Sequence, residues 1–347
     1  LIRRAMTKSS VHTIDATTVR LGAGLEHGPP SAALMTLALR TLLGVIAPDG
    51  SVPAATRELL EALRERWIGS GGVGSLPPID ELQPLAAEAL DVADIEPSLR
   101  VQCVRLAVVA TLLERERSFD RLARVERLAE RLGVVEPGVV DLRLWTERKH
   151  MRLRRHMVPR FWLADELRAR AREHGWLKVI WIFIAWQLRL RREPALLARY
   201  AALRSLPNDT LGAALIGELE RNGFGLPGER GTAADWAIRH DLCHVLSGYD
   251  TDPRSEVLAG SFMAGCRQRD GFSLIVFVLL QFHCGLRVTP IAPSDVGLFD
   301  PQRALEAVRR SAFMTIDPSI RSWDYWQDFD QPLAVLRERY RVAPRQI

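Results

Sequence analysis

The chain has 347 residues, 47% hydrophobic and 26% charged, with a formal net charge of +5, an ordinary globular composition. That length suits roughly two domains, each able to bury its own core. Its four cysteines (Cys103, Cys243, Cys266 and Cys284) lie far apart with no C-x-x-C pair. This argues against a disulfide framework or a cysteine-zinc site and suits a reducing cytosol.

The first residues, Leu1 to Met6, carry charge but no apolar run follows them, so no secretory signal is expected. Residues 1–27 are expected to form a flexible tail. Residues 28–145 then read as helical, with helices expected at 31–46 behind a Ser cap, 54–67, 80–92, 97–115 and 118–133. Residues 69–74 spell G-x-G-x-x-G, but they follow a helix, run into Leu76-Pro77-Pro78 and lack a Gly-Lys-Ser/Thr, so they read as a linker and not as a nucleotide loop. Leu37–Trp67 and Val104–Val134 echo each other as apolar helix, acidic turn and charged helix. That layout, with Ala47-Pro-Asp-Gly50 at its first turn, resembles the TerB-like helical domain of tellurite-resistance proteins over residues 28–145. TerB-like domains can bind metal through acidic residues. Asp49, Glu58, Asp120 and Glu126 read instead as helix caps or solvated groups, and the domain as an interaction or homo-oligomerisation module.

Residues 141–200 hold fifteen Lys and Arg against six Asp and Glu, a net of +9, so the remaining residues sum to −4. The basic blocks are Arg148-Lys149, Arg152-Leu-Arg-Arg155 and Arg189-Leu-Arg-Arg192, and between them runs the apolar, Trp-bearing stretch 176–188. Thirteen residues are too few to cross a bilayer, which needs ~20. An apolar helix with Trp and flanking Arg suits peripheral membrane contact through 148–192, or the edge of a lipid-binding cavity; the competing reading is a buried core helix. No nucleic-acid motif is present, and no nucleic-acid partner is expected.

Downstream, the small residues Ala259, Gly260, Ser261, Ala264 and Gly265 would let another helix come close. Residues 272–282 are apolar but only eleven long, which suits a core helix or a tunnel wall. His283 ends that run and reads as a capping or solvent-facing residue more readily than as a metal ligand. Asp300-Pro301 and Asp317-Pro318 are each expected to open a helix, and a last helix is expected at 332–341. No strand series stands out, so the fold class is all-α in two helical domains, 28–145 and 146–347.

The stretch that carries chemistry is His240-Asp-Leu-Cys-His244, followed after eleven residues by Glu256. Imidazoles at i and i+4 stack on one helix face, the spacing by which a helix offers two ligands to one metal. Asp241 sits about 100° round the helix, placed to chelate or to act as a base. On a continuous helix Glu256 would lie roughly 18 Å from His244. Gly248 as a C-cap, turn-forming Asp250, and Asp252-Pro253 opening a new helix would fold it back. Two imidazoles and two carboxylates, from His240, Asp241, His244 and Glu256, suit zinc (Zn2+) or ferrous iron (Fe2+). Cys243 points off that face and reads as core.

At every position this motif resembles His-Asp-x-x-His-x(11)-Glu of the ubiquinone (coenzyme Q) biosynthesis family known as the fourth coenzyme-Q biosynthesis protein. Leu206-Pro-Asn-Asp-Thr-Leu-Gly212 upstream, and Trp326 with Pro332-Leu-Ala-Val-Leu-Arg-Glu338 downstream, extend the resemblance over about 160–345. It implies zinc held by His240, His244 and Glu256, with Asp241 a fourth ligand or the catalytic base. It implies removal of the ring carboxylate of a polyprenyl-hydroxybenzoate, coupled in some members to hydroxylation. Helices 176–188 and 272–282 would then shelter an isoprenoid tail, in a cytoplasmic protein peripheral on the inner face of the membrane. Two alternatives stand beside this: a lipid-binding scaffold for other quinone-biosynthesis enzymes, and an HD-type metal hydrolase using His150, His156 or His174.

Overall fold

The computed structural model describes residues 13–16, 20–21, 30–69, 71–72, 74–93, 95–187, 192–232, 235–289 and 292–345. Within these the chain is all-α, with fifteen α-helices and two strands of two residues each. It divides into two compact units, one running to Arg148 and one from Lys149, the latter also taking in Arg20 and Leu21.

The first unit holds α1 (Ala32–Ile46), α2 (Ala54–Gly69), α3 (Pro97–Leu113), α4 (Phe119–Leu132) and α5 (Pro137–Thr146). Ser31 caps α1 by accepting from the Leu34 amide, Ser118 caps α4, and Gly133 ends α4 in the left-handed conformation. The Asp49 carboxylate accepts from the Ser51 amide, Glu126 pairs with Arg143, and Glu58 and Asp120 are exposed. The helix expected at 80–92 is replaced by two single 3-10 turns, Ile79–Glu81 and Ala87–Ala89. Pro84 holds Gln83 away from helical backbone. The segment instead lies against α1, where the Leu85 amide donates to the Arg40 carbonyl at 2.9 Å. Gly44 permits that approach, since a Cβ there would stand 2.0 Å from the Leu85 oxygen. Part of the expected tail is also structured. Strand β1 (Ile14–Asp15) pairs in parallel with β2 (Val134–Val135), and buried Arg105 bridges the Ala16 carbonyl and Glu136. The remainder of 1–27, apart from 13–16 and 20–21, lies outside the described residues.

The second unit contains α6 (His150–Met157), α7 (Trp162–His174), α8 (Trp176–Gln187), α9 (Pro194–Ala202), α10 (Leu211–Arg221), α11 (Ile238–Ser247), α12 (Pro253–Cys266), α13 (Phe272–Phe282), α14 (Pro301–Ser311) and α15 (Leu333–Arg339). Its core is built on α12, which packs against both α13 and α14. The small residues allow this: a Cβ on Gly265 would meet Ser311 Oγ at 2.1 Å, and one on Gly260 would meet Val278 at 2.6 Å. Asp300 caps α14 as expected. Asp317-Pro318 does not open a helix. Its carboxylate accepts from the Ser319 amide and hydroxyl, and consecutive turns carry Trp323 and Tyr325 into the core.

The two flanking stretches named by the resemblance lie together. Thr210 bridges to Pro332, and the Leu211 and Gly212 amides donate to the carbonyls of Gln331 and Phe329. The two apolar helices behave differently. α13 is buried, whereas α8 shows Trp176, Leu177, Ile180, Trp181 and Ile184 at the surface and turns Val179 inward. Side chains of 182–183 and 185–187 and the whole of 188–191, including the basic pair Arg189 and Arg191, lie outside the described residues.

Candidate metal centre

The helix that carries both histidines stops where its chemistry requires. Gly248 takes a left-handed φ of 73° and its amide bonds the His244 carbonyl. That conformation suits glycine and turns the chain back within one residue. Four residues later the Asp252 carboxylate accepts from the Arg254 and Ser255 amides at 3.0 and 3.3 Å, with Pro253 in the first turn of α12. Glu256 lies in that first turn and faces α11. The break therefore brings a carboxylate beside the His pair.

His240, His244 and Glu256 are the one group of three potential metal-holding side chains among the described residues, each offering an atom within 4.8 Å of the others. Glu256 Oε2 is 3.4 Å from His240 Nε2, and Oε1 is 3.5 Å from His244 Nε2. With one donor atom taken from each, the three side chains lie within 4.8 Å of one another, a spacing at which they can share one ion once the side chains close on it. His244 is buried, and its Nδ1 donates to the Asp250 carbonyl at 2.8 Å, with the Tyr249 carbonyl at 3.2 Å. That bond fixes the tautomer and leaves Nε2 as a bare lone pair. The Nε2 atom is buried and has no hydrogen-bond partner. An unsatisfied buried nitrogen costs about 1–3 kcal/mol, so an atom that accepts its lone pair fits the site.

The electrostatics follow from this crowding. Burial alone would lower the His240 pKa, but the neighbouring carboxylates of Asp241 and Glu256 outweigh it and raise the imidazole to about 10. Burial and the neighbouring His240 charge lower His244. Glu256 is pushed up by burial but held lower overall by the adjacent His240 ring and by both histidine charges. Asp241 stands outside the three-residue group. Its Oδ1 is 3.7 Å from His240 Nδ1, on the far side of that ring from Glu256. From there its charge faces the imidazole, the place an outer carboxylate takes behind a ligating histidine.

Three arginines distant in sequence hold the end of α11. Arg337 donates to the Val245 and Leu246 carbonyls at 2.9 and 3.0 Å, Arg310 to Ser247 at 2.8 Å, and Arg345 to Gly248 at 3.4 Å. The last carbonyls of a helix have no partner within it, and cations there complement its negative end. At the other end Arg239 reaches buried Glu166 of α7 at 3.8 Å, and Arg170 and Arg321 share the same carboxylate. None of these partners is marked by local spacing, since 63 to 97 residues separate the arginine clamp from the carbonyls it serves.

No family model matches the chain, and no curated protein matches it. The functional reading therefore stands on the motif and its geometry. Cys243 is buried with its thiol on the Arg239 carbonyl, as core. His283 is buried rather than solvent-facing; it caps α13, its Nδ1 accepts from the Phe299 amide, and it stands outside the metal group. His150, His156 and His174, the histidines an HD-type hydrolase would recruit, are likewise absent from that group.

Proposed function

We propose that this chain is a metal-dependent enzyme of ubiquinone or prenylated-quinone biosynthesis that decarboxylates the ring of a polyprenyl-hydroxybenzoate, with or without hydroxylation at that carbon. The observation that carries the reading is a preformed two-histidine, one-carboxylate group whose buried His244 Nε2 has no hydrogen-bond partner. His240, His244 and Glu256 hold the ion, zinc ahead of ferrous iron. Bound there, the ion supplies Lewis acidity towards a ring oxygen or carboxylate, with a coordination position open to substrate. Asp241, 3.7 Å from His240 Nδ1, is the fourth ligand or the base beside the site. α12, which carries Glu256, is itself packed against buried α13.

The test is elemental analysis of the purified protein beside His240→Ala and Glu256→Ala, with circular dichroism on each. About one zinc or iron per chain in the wild type, lost from helical variants, is the expected result. Carbon dioxide release from prenylated hydroxybenzoates then reads the activity. A wild type that takes up no metal on reconstitution ends the catalytic reading. Stoichiometric metal without turnover, on a fold unchanged when the metal is removed, leaves the lipid-binding scaffold.

A further inference from the structure

The surface of α8 is unlike that of a solvated helix. From Trp176, at about 100° per residue, the exposed apolar side chains fall at roughly 0°, 100°, 40°, 140° and 80°. They are Trp176, Leu177, Ile180, Trp181 and Ile184, exposed by 57, 86, 50, 60 and 41%. One arc of about 140° thus carries five large hydrophobic groups, while buried Val179 lies near 300°, turned into the protein. A contiguous apolar face of this kind marks an interaction surface.

The charges around the face select its partner. The only charged residue within α8 is Lys178, exposed on the flank of the arc, and exposed Arg172 and Arg192 stand before and after the helix. The nearest acid before it, Glu173, is occupied by Arg321. A second copy docking through the same face would set these cations against themselves. An anionic surface would neutralise them, and indole rings favour the headgroup level of a bilayer. At twelve residues α8 can lie along such a surface, and no helix among the described residues is long and apolar enough to cross a membrane.

We propose that α8 is a docking face for an anionic lipid bilayer, lying in the interfacial plane with Trp176, Leu177, Ile180, Trp181 and Ile184 pressed into the headgroup–acyl boundary. α8 packs on α7, and Glu166 of α7 meets Arg239, the residue before His240. α7 thus links the docking helix to the helix that carries His240. The inference does not depend on the metal reading.

The experiment is co-sedimentation of the full chain with vesicles of phosphatidylcholine alone and of phosphatidylcholine with phosphatidylserine, free of any isoprenoid. Variants are Leu177→Glu/Trp181→Glu and, separately, Lys178→Glu, each checked for native circular dichroism and melting. The expected result is binding to the anionic vesicles that weakens with salt, falls at least ~10-fold in the double variant and falls severalfold in Lys178→Glu. Equal binding of wild type and double variant, or no binding to anionic vesicles, overturns the proposal. So does a wild-type dimer in light scattering that the double variant turns into a monomer, which would assign the face to a second copy.

Discussion

Replacing Arg310 by Met should damage the metal centre from a distance, because that guanidinium satisfies the end of the helix bearing both histidines. Arg310 is 4% exposed, donates to Ser247 and Ala343 carbonyls at 2.8 and 2.9 Å, and lies over the rings of Tyr249 and Phe262. Met conserves much of the packing but leaves two carbonyls without their charged donor, at about 1–3 kcal/mol each. The sum, roughly 2–6 kcal/mol, corresponds to a fall in melting temperature on the order of 5–20 °C for a unit this size. Ser247 also leads directly into the Gly248–Asp250 turn whose carbonyls hold His244 Nδ1. Loosening such an outer contact should weaken zinc by ~10–100-fold. The assay is zinc competition against a chromogenic chelator, with melts on the zinc-free protein. Arg204→Met is the control: it pairs with Glu220, both side chains are about half exposed, and it should change stability by less than ~1 kcal/mol. If Arg310→Met melts like wild type, the clamp contributes no stability. If it melts lower yet binds zinc with unchanged affinity, the clamp does not organise the site.

Three further outcomes follow from named contacts. Gly265→Val should destabilise the second unit by about 1–3 kcal/mol or more, because even a Cβ would meet Ser311 Oγ at 2.1 Å and the Val308 carbonyl at 2.4 Å; chemical denaturation reads this, and an unchanged midpoint would sink the close-packing argument. Asp252→Ala should cost about 0.5–2 kcal/mol by removing the α12 cap. The Ser255 hydroxyl bond, with the Ser255 and Arg254 amides behind it, depresses the Asp252 pKa against the burial that raises it. A depressed carboxylate stabilises above its unfolded value of ~3.9 and loses that contribution as pH falls through the folded one, so the gap between wild type and variant should close in acid and stay flat near neutrality. Cys103, whose thiol burial pushes up to about 12, should resist alkylation in the native protein and react on unfolding; rapid native labelling would contradict its burial.

What was legible in the sequence is what short-range rules encode. Ser31 and Asp252 announced helix starts, and Gly248 announced the stop that turns Glu256 back to His240 and His244, because caps and left-handed turns depend on a few adjacent residues. Where a partner far along the chain decides, the reading failed. Residues 80–92 show helical periodicity, yet Pro84 and the groove at Gly44 make them an extended strap on α1. Ile14–Asp15 looked like tail because its partner, Val134–Val135, is 120 residues away. The apolar runs in α8 and α13 are similar in composition, and only tertiary contacts decide that one is buried and the other faces outward. Spacing gives the direction of Asp241 only to within a quadrant, and its carboxylate lies 3.7 Å from His240 Nδ1, outside the three-residue group.

The case for a ligand at this site rests on a difference between its two histidines that no solvated helix end would show. His240 is one third exposed, with a carboxylate 3.4 Å from one ring nitrogen and another 3.7 Å from the other, so on its own it reads as an ion-paired surface residue. His244 is not exposed, and its one bonded nitrogen is locked onto a backbone carbonyl. Flipping the ring would exchange that bond for another unsatisfied buried nitrogen, so relaxation brings no relief. A fold that needed only packing there could have used an apolar residue at no such cost. Retaining an imidazole with its lone pair aimed at a carboxylate 3.5 Å away is explained when both atoms share a third partner. The arginine clamp adds the same sense, since it stiffens the helix end that sets where that lone pair points.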